Sequence, residues 1–419
     1  MTTAVRRPPS PSVSAPPPAV VSTRWPRVIW ALLVATFIAR ACGFAFPFLS
    51  YRLMELGFGT QLIGRTIAVF GLGWLVGQLV VGWLSDRLGR RTTLIATMLA
   101  ATATLPVLAA AESTVSVVAS AAVVGVVYDA YRPIVSATVQ DQIPTDAGRA
   151  LISGWRHFAV NCGAAATGAV GGMLAAETGM GFLFCVNAAA CALFALIAAL
   201  FMPRDKRVRS GRSDRGAYRR ALRDVRLWLV CLASLAALNA CAAMFTALPM
   251  LMSRNGLGPA AYGWTQVANA TVVVLATPAL MPFLSRRASQ PTPMLGPFAL
   301  SSVILGAGMG AAGFASSTAE YSLAVAAAVT GEVLLFVAAS DVLSRISPPQ
   351  SRGLYAGVWG AQLAVAVITA PLLASWAIET GGHVLAAAAI VTVGLLGAVL
   401  CLPLRALLHP APGAVDMTV

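Results

Sequence analysis

Five ionisable side chains lie inside long apolar stretches of this sequence, where a charge has little water around it. They are Arg40, Asp129, Arg132, Arg156 and Glu332. A charged side chain at the centre of a bilayer costs about 2.5–3.5 kcal/mol on insertion scales, so such groups normally face a cavity or one another. Their possible chemistry is therefore ion pairing, binding of a charged solute, or proton transfer.

Asp129 and Arg132 are three positions apart, which places them on one face of a helix and within reach of each other. A neighbouring cation favours the ionised form of a carboxyl group. We therefore expect Asp129, Arg132 and Arg40 to form one charge network. Arg156 lies about one turn inside its apolar stretch, so we expect its side chain to extend toward the membrane surface.

Glu332 has no basic neighbour on its own helix. Where no cation is near, burial favours the protonated form of a carboxyl group, as a proton carrier requires. Glu332 is therefore the expected principal proton site and Asp129 the second, with a purely architectural network as the alternative. Four polar residues are candidates for a substrate cavity, with helix packing as the alternative for each: Tyr128, Asn239, Gln266 and Trp359.

Two turns between apolar stretches carry further polar residues. The first turn contains Gly82, Asp86, Arg87, Gly89, Arg90 and Arg91. Its glycines permit a tight turn between closely packed helices, and Asp86 can cap a helix or accept hydrogen bonds from arginine. The second turn carries Asp141 and Arg149, and we expect Asp141 to pair with Arg90 or Arg91 across one face of the bundle.

Membrane helices must position these residues, because the composition excludes a soluble fold. Hydrophobic residues make up 58% of the 419 residues and charged residues 11%, with a mean hydropathy of +0.79. Soluble domains are about 45–50% apolar and about 25% charged. Twelve stretches of about 20 apolar residues can each cross a bilayer. The first and the fourth are predicted over about 28–50 and 115–139.

The charges alternate with the spans. The net charge is +14, and nearly all basic residues lie on every second connection. Acidic residues mark the opposite connections: Glu55, Glu112, Glu177, Glu320 and Glu379. Because positive connections stay in the cytoplasm, this pattern predicts an even number of spans with both termini cytoplasmic.

The longest connection divides the chain into six spans and six spans. Asp129 and Glu332 are 203 positions apart, as are Arg149 and Arg352, which indicates a duplicated six-helix unit with a substrate site between the halves. A nucleic-acid or lipid-headgroup site is the alternative for the basic linker. The predicted organisation is a disordered tail, an N-terminal bundle, a basic cytoplasmic linker, a C-terminal bundle and a second tail, over 1–26, 27–202, 203–226, 227–408 and 409–419.

The turn from Gly82 to Arg91 resembles the signature loop of the major facilitator superfamily, G-x-L-a-D-R-x-G-R-R, and the twelve spans extend the resemblance over the whole chain. It implies an all-α membrane fold of twelve transmembrane helices in two pseudo-symmetric six-helix bundles. It also implies that Asp86 docks near Arg352 at the start of the eleventh span and latches the outward-facing state.

Two further segments resemble the drug:proton antiporter branch of this superfamily. One is the turn after Asp141. The other is the spacing from Gly163 to Gly172 in the fifth span, where Thr167 and Gly168 replace the usual Gly-Pro.

The resemblance implies a secondary active transporter of the bacterial plasma membrane that works by alternating access, as a monomer. We expect proton-coupled efflux of small drug-like organic compounds, with transport of a metabolite such as a sugar, organic acid or lysolipid as the alternative. The sequence contains no G-x-x-x-x-G-K-[ST] motif, so a gradient must supply the energy. A membrane-embedded enzyme or a sensor are more distant alternatives, and no cofactor, metal ion or nucleic acid is expected.

Overall fold

The computed structural model describes residues 25–205, 220–348 and 351–408. The predicted tail at 409–419, nearly all of the tail at 1–26 and most of the predicted linker lie outside the described residues. Within the described residues, all regular structure is helical. Eleven helical segments are long and apolar enough to cross a bilayer. The last of them, Leu354–Leu408, has non-helical dihedral angles at Gly381 and Gly382, so it forms two spans and brings the total to twelve.

The first six spans contain eight helices, because two spans are each built from two shorter helices. These are α1 Arg27–Ala41, α2 Ala45–Glu55, α3 Thr60–Leu88, α4 Arg90–Ala110, α5 Thr114–Val127, α6 Tyr131–Gln142, α7 Asp146–Thr178 and α8 Met180–Phe201. Within this N-terminal half, α4 packs against α8, α3 against α5, and α1 against α7 and α8.

The last six spans form the C-terminal half. They are α9 Val225–Arg254, α10 Pro259–Ala288, α11 Leu295–Ala311, α12 Thr318–Ile346 and α13 Arg352–Leu408. The break at Gly381 and Gly382 divides α13 into a first part, 352–380, and a second part, 383–408. Here α9 packs against α13, and α11 packs against α12 and α13. The chain is a multi-pass membrane protein of the expected twelve-helix architecture.

The helix ends lie on two opposite faces. We call one the basic face, which carries Arg87, Arg90, Arg91, Arg149, Arg286, Arg287, Arg345 and Arg352. We call the other the acidic face, which carries Glu55, Glu112, Glu177, Glu320 and Glu379.

Two helix pairs make the most extensive contacts between the halves, α7 with α10 and α3 with the first part of α13, and α9 also contacts α2 and α3. In both extensive contacts the backbones of the two helices approach each other closely. A Cβ atom added to Gly263 would lie 2.3 Å from the carbonyl oxygen of Gly168, and one added to Gly64 would lie 2.3 Å from Ser375 Oγ. Small residues permit this approach between membrane helices. The glycines of the fifth span therefore hold α7 against the opposite half.

The halves touch near the acidic face and separate toward the basic face. Tyr51 Oη donates to the carbonyl oxygen of Leu257 (3.4 Å), and the Gln61 N–H donates to Glu379 Oε1 (2.7 Å). Between the described residues, every hydrogen bond, ion pair and ring contact that joins the halves lies in the part nearer the acidic face. Toward the basic face, α10 is exposed on almost every side. We call the space left there, between α6 and α12, the central gap.

Candidate functional site

Two breaks in the N-terminal half lie near the middle of their spans. One separates α1 from α2 at Cys42, Gly43 and Phe44, and the other separates α5 from α6 at residues 128–130. The spans predicted over 28–50 and 115–139 are present, and each consists of two shorter helices. Asp129 has a φ of +51°, a left-handed conformation that no other described non-glycine residue adopts. Side chains other than Asn and Asp rarely tolerate it.

The Asp129 carboxylate is the centre of the charge network. Its Oδ2 lies 2.8 Å from Arg132 Nη2 and 4.0 Å from Arg40 Nη1, and its side chain is only 4% exposed. Gln78 Nε2 donates to the Asp129 carbonyl oxygen at 3.3 Å, a backbone group in the helix break. The predicted network of Arg40, Asp129 and Arg132 is therefore present in the fold, whereas its part in coupling stays a prediction.

The end of α1 is held by a hydroxyl group from α7. Thr167 Oγ1 donates to the Arg40 carbonyl oxygen, which also accepts the Gly43 N–H at 3.2 Å. Helix ends leave carbonyl groups without intrahelical partners, and burial of such a group without a hydrogen bond is costly. The Thr-Gly substitution seen in the fifth span thus supplies the donor that stabilises the break in the first span.

An aromatic layer lies beside the two breaks, and it includes one residue from the opposite half. It consists of Phe46, Phe70, Trp74, Tyr128 and Phe245, with ring centroids 5.1–6.1 Å apart. Phe46 and Phe245 meet across the two halves at 5.7 Å. Tyr128, a predicted cavity residue, packs its ring in this layer and places its hydroxyl beside Arg40. The layer therefore closes the central gap on the side of the acidic face.

Two polar stripes face the central gap. On α6, Arg132, Ser136 and Gln140 succeed each other at intervals of four residues and are each partly or fully exposed. On α12, the stripe is longer and includes one aromatic residue: Glu332, Phe336, Ser340 and Ser344. A polar stripe on a membrane helix faces water or protein rather than lipid. We call these surfaces the α6 stripe and the α12 stripe.

Arg156 adds a positive charge beside the α6 stripe. Its Nη1 donates to Ser136 Oγ on α6. Ser136 is six residues from the basic-face end of α6, and Arg156 is ten residues from that of α7, so the guanidinium group reaches toward the basic face, in agreement with the expectation. Arg156 is also close enough to Arg132 for their positive charges to repel each other.

Glu332 stands alone on the opposite wall. Its side chain is partly buried, and among the described residues it has no hydrogen-bond or ion-pair partner. The Cys241 thiol of α9 is near enough to sense its charge. One turn toward the basic face, Phe336 meets Trp359 edge to face at 6.2 Å, and Trp359 Nε1 donates to Ser234 Oγ at 2.8 Å. Trp359 therefore lies next to the α12 stripe.

The other two candidate cavity residues belong to helix packing. Asn239 Nδ2 donates to the Leu235 carbonyl oxygen (2.8 Å), and Asn239 Oδ1 accepts from Thr369 Oγ1 (2.9 Å) within the C-terminal half. Gln266 is 5% exposed and packs against Gly168 where the halves touch. The structure brings neither residue to the charge network.

At the basic face, the signature turn makes contacts within its own half. Gly82, Asp86 and Arg87 lie at the end of α3, Gly89 forms the turn, and Arg90 and Arg91 begin α4. Arg90 Nη1 lies 2.7 Å from Asp141 Oδ2, as predicted. Nearby, Arg87 stacks over the Trp83 ring at 4.1 Å, Arg91 Nη2 donates to the Ala199 carbonyl oxygen at 2.7 Å, and Arg149 Nε donates to that of Ile143 at 2.7 Å.

Asp86 is exposed, and among the described residues it has no hydrogen-bond or ion-pair partner. Arg352, also exposed, begins α13 on the other side of the central gap. Because the halves are apart at this face, docking of Asp86 near Arg352 is not formed in this conformation. The latch therefore stays a prediction.

Asp205 caps α4. It lies in the predicted basic linker and is not among the predicted site residues. Its two carboxylate oxygens accept the N–H groups of Arg91 (2.9 Å) and Thr92 (2.8 Å). Gly89, with a φ of +93°, brings the turn against this carboxylate. Partial burial raises the pKa of Asp205, but the hydrogen bonds from Thr92 and Arg91 outweigh it and hold the pKa below its usual value. The only feature of the sequence that could have predicted this cap is the position of an acidic residue directly after the sixth span.

Comparisons with known proteins agree with this architecture. A family model described as Major Facilitator Superfamily matches residues 29–331. No curated protein sequence matches the chain. Among solved structures, the chain is similar to a POT family transporter in complex with a thioalcohol-conjugated peptide, with a TM-score of 0.75 and 14% identity over 90% of this chain and 95% of that one.

Two further solved structures have the same fold. A POT family transporter in complex with 5-aminolevulinic acid gives a TM-score of 0.72 at 14% identity, over 91% of this chain and 96% of the other. The nucleoside transporter NupG gives 0.67 at 14% identity, over 91% and 99%. At this level of identity, the likeness shows the fold alone.

Proposed function

Because this chain belongs to the major facilitator superfamily, we propose that it is a secondary transporter that works by alternating access and couples proton entry to the efflux of small organic compounds. The observation that carries the proposal is the central gap. It is closed at the acidic face by the aromatic layer, open toward the basic face, and has on one wall Glu332, which forms no hydrogen bond or ion pair with the described residues. By the positive-inside rule, the basic face and both termini are cytoplasmic, which makes this conformation inward-facing.

Glu332 is the principal proton site in this proposal. Asp129 lies within ion-pair distance of two arginines, so its negative charge is compensated within the network. Glu332 has no such cation and faces a gap that water can enter, so it can take up and release a proton in different conformations. Asp129 then serves the network with Arg40 and Arg132, which transmits the change to the helix breaks.

The basic-face turn supports alternating access. Asp86 is free and exposed while the halves are apart at this face, as a latch would be when released. We propose that it docks near Arg352 when the gap closes, in the outward-facing state. The protein would work as a monomer in a bacterial plasma membrane and would have no enzyme activity.

The direction of transport and the class of compound are the finer parts of the proposal. The turn after Asp141 and the spacing in α7 that resemble the drug:proton antiporter branch favour efflux. The relatives of known structure bind a peptide conjugate or 5-aminolevulinic acid, and a metabolite of that size is the alternative cargo.

The test is proton movement driven by compounds in proteoliposomes that contain a pH-sensitive dye. Dyes, tetracyclines and macrolides would be screened with the wild type, Glu332→Gln and a matched control, Glu320→Gln. Glu320 lies in the same helix but is exposed in its first turn, where Gln also completes a capping box. We expect compound-dependent proton flux that Glu332→Gln abolishes and Glu320→Gln retains. Flux that survives in Glu332→Gln would move the proton site to Asp129. Absence of flux with every compound would overturn the exporter proposal in favour of a narrow metabolite carrier.

A further inference from the structure

The strongest unexplained feature of the central gap is an excess of positive charge on its N-terminal wall. Arg40 and Arg132 share a single carboxylate, that of Asp129, and Arg156 adds a third positive charge near Arg132. Arg156 has no acidic partner among the described residues, and its nearest charged neighbour is another arginine. Charges at membrane depth are normally paired or hydrated. Arg132 and Arg156 are neighbours, and only Arg132 is paired with a carboxylate among the described residues, which leaves room for a further anion beside Arg156.

We propose that Arg132, Arg156 and Ser136 form a subsite for the anionic group of the transported compound, so that the substrate is a small organic anion bearing a carboxylate or a phosphate. This inference rests on the proposed transport function, because it identifies the bound anion with the cargo. It goes further in naming the chemistry by which the cargo is recognised.

The geometry of the α6 stripe supports the subsite. Arg132 and Ser136 are one turn apart on α6, and Arg156 reaches the Ser136 oxygen from α7. Because Ser136 accepts this hydrogen bond, its own O–H remains available to donate. The Arg132 side chain is 37% exposed although it pairs with Asp129. Arginine presents several N–H donors in a planar fork that matches the oxygens of carboxylates and phosphates.

The break in the fourth span adds a second, independent positive element. The helix α6 begins at Tyr131, near the middle of the span, and no side chain caps its N-terminus. The N-terminus of a helix carries a partial positive charge, and in α6 this charge is the main contribution, because the Arg132 N–H already donates to the Asp129 carbonyl oxygen (3.0 Å) and Pro133 has no N–H. In transporters, the N-termini of such half-helices point at anionic groups of the substrate. The same end of α6 carries Arg132, so the helix dipole and the arginine side chain both favour a negatively charged ligand.

The opposite wall does not cancel this charge. Glu332 forms no ion pair with an arginine among the described residues. A cationic compound would meet the excess of arginines on one wall, whereas an anionic one would be held there and leave Glu332 available for a proton. The charge distribution therefore favours anions.

The test measures binding to the purified full-length protein in detergent, using four probes that share a phenyl ring. Phenylacetate and phenyl phosphate carry the two anionic groups, phenylacetamide is the neutral analogue, and phenethylamine is the cation. Affinities come from isothermal calorimetry and thermal-shift titration. We expect at least one anion to bind about tenfold more tightly than the amide and the amine, as hydrogen bonds to charged groups would give. The preferred anion identifies the carboxylate or the phosphate class.

Variants then locate the site. Arg156→Gln and Ser136→Ala should each weaken binding of that anion, Arg156→Gln by about tenfold, while leaving the Asp129 network intact. Arg65→Gln is the control, because Arg65 is exposed near the acidic face and bonds only Gln61 among the described residues. Ser136→Ala, a small change, guards against misfolding of the arginine variant. Equal or tighter binding of the amide or amine, no binding of either anion, or anion binding unchanged in both variants would each overturn the proposal.

The flux assay separates the two proposals. If the amine drives protons and neither anion does, the transport function stands and the anionic subsite is wrong. If an anion binds in an Arg156-dependent manner but no compound moves protons, the subsite stands and proton-coupled transport is wrong.

Discussion

Asp129 in the N-terminal half and Glu332 in the C-terminal half occupy equivalent positions, 203 residues apart, in very different surroundings. Asp129 is nearly inaccessible, sits in a left-handed backbone conformation and contacts two arginines. Glu332 sits in the middle of the continuous helix α12 and has no partner among the described residues. The comparison teaches that equivalent positions in the two halves place one acid in a network of cations and leave the other without an ion-pair partner among the described residues, which is why we propose the second as the proton site.

The helices that carry the two acids also differ, because those of the N-terminal half are broken and those of the C-terminal half are continuous. In the N-terminal half, the first and fourth spans are both broken where the charges meet, and Thr167 and Gln78 bond carbonyl groups at the breaks. In the C-terminal half, their counterparts α9 and α12 run without a break. The N-terminal half therefore fixes its charges in a network of mutual contacts.

Each half also clamps its own turn at the basic face, by different means. In the N-terminal half, Asp205 caps α4 and Arg90 pairs with Asp141. In the C-terminal half, Asp341 accepts the Met294 N–H at 3.0 Å, and Arg345 donates to the carbonyl oxygens of Ala288, Gln290 and Pro291 at the end of α10. Only the N-terminal clamp leaves an acid, Asp86, free to reach across the gap.

The largest expected effect is on stability and separates the two acids. Asp129→Asn should lower the free energy of unfolding by about 3–5 kcal/mol, because it leaves the largely buried Arg40 and the partly exposed Arg132 without their carboxylate. Asn tolerates the left-handed backbone, so the change isolates the charge. Glu332→Gln should change stability by less than about 1 kcal/mol, because no ion pair is lost there. Thermal unfolding of both variants in detergent measures the difference.

Removing Arg132 as well provides the control. The double variant Asp129→Asn, Arg132→Gln should regain part of the lost stability, because fewer unpaired charges remain. Equal stability of Asp129→Asn and the wild type would mean that the network does not contribute to stability. The two acids would then not differ in this respect.

An arginine placed beside Glu332 should give it an ion pair like that of Asp129. Phe336 lies four residues after Glu332 on the α12 stripe, and an arginine at this spacing pairs with a glutamate. Phe336→Arg should therefore hold Glu332 ionised and reduce compound-driven proton flux at pH 7 by about tenfold, a change equivalent to about 1.4 kcal/mol. Phe336→Leu, which removes the ring without adding charge, should keep most of the flux. Equal flux in the two variants would contradict the role given to Glu332.

The break in the first span should depend on its hydroxyl clamp. Thr167→Val keeps the shape but removes the donor to the Arg40 carbonyl oxygen, and should cost about 1–3 kcal/mol. The matched control is Thr246→Val in the unbroken α9, where the hydroxyl bonds a carbonyl group of its own helix. A larger loss in the control would show that the break needs no such support. Thermal unfolding again provides the measurement.

The smallest effect concerns Asp205. Asp205→Ala should cost about 1 kcal/mol of stability at neutral pH, as for other helix caps. Because the folded protein holds the pKa of Asp205 below its ordinary value of 3.8, this contribution is complete above that value and is lost as the pH falls through the lower, folded-state pKa. The deficit of the alanine variant should therefore shrink below pH 4. Asp205→Asn, which still accepts hydrogen bonds, should stay close to the wild type, and a deficit that persists at acidic pH would contradict the assignment.

Hydropathy and short-range spacing were sufficient to predict part of the molecule. Twelve spans, the two halves and the Asp129–Arg132 pair depend on these two properties, and the Arg90–Asp141 pair follows from the placement of both turns on one face. The break in the fourth span could not be predicted in the same way, because residues 128–130 contain neither glycine nor proline and Asp129 is held in its conformation by distant contacts. The hydrogen bond of Arg156 depends on Ser136 of another helix. Likewise, Asp205 meets α4 only after the whole N-terminal half has packed.

The i, i+3 spacing of Asp129 and Arg132 has a consequence for biosynthesis. These two residues enter the bilayer within one segment, so each can neutralise the other while the nascent chain is being inserted. Arg40 belongs to the first span and is synthesised almost 90 residues earlier than Asp129. Its ion pair with Asp129 therefore cannot form until the fourth span has been inserted. The first span should therefore insert poorly when expressed alone and be retained only once residues up to about 142 have been translated.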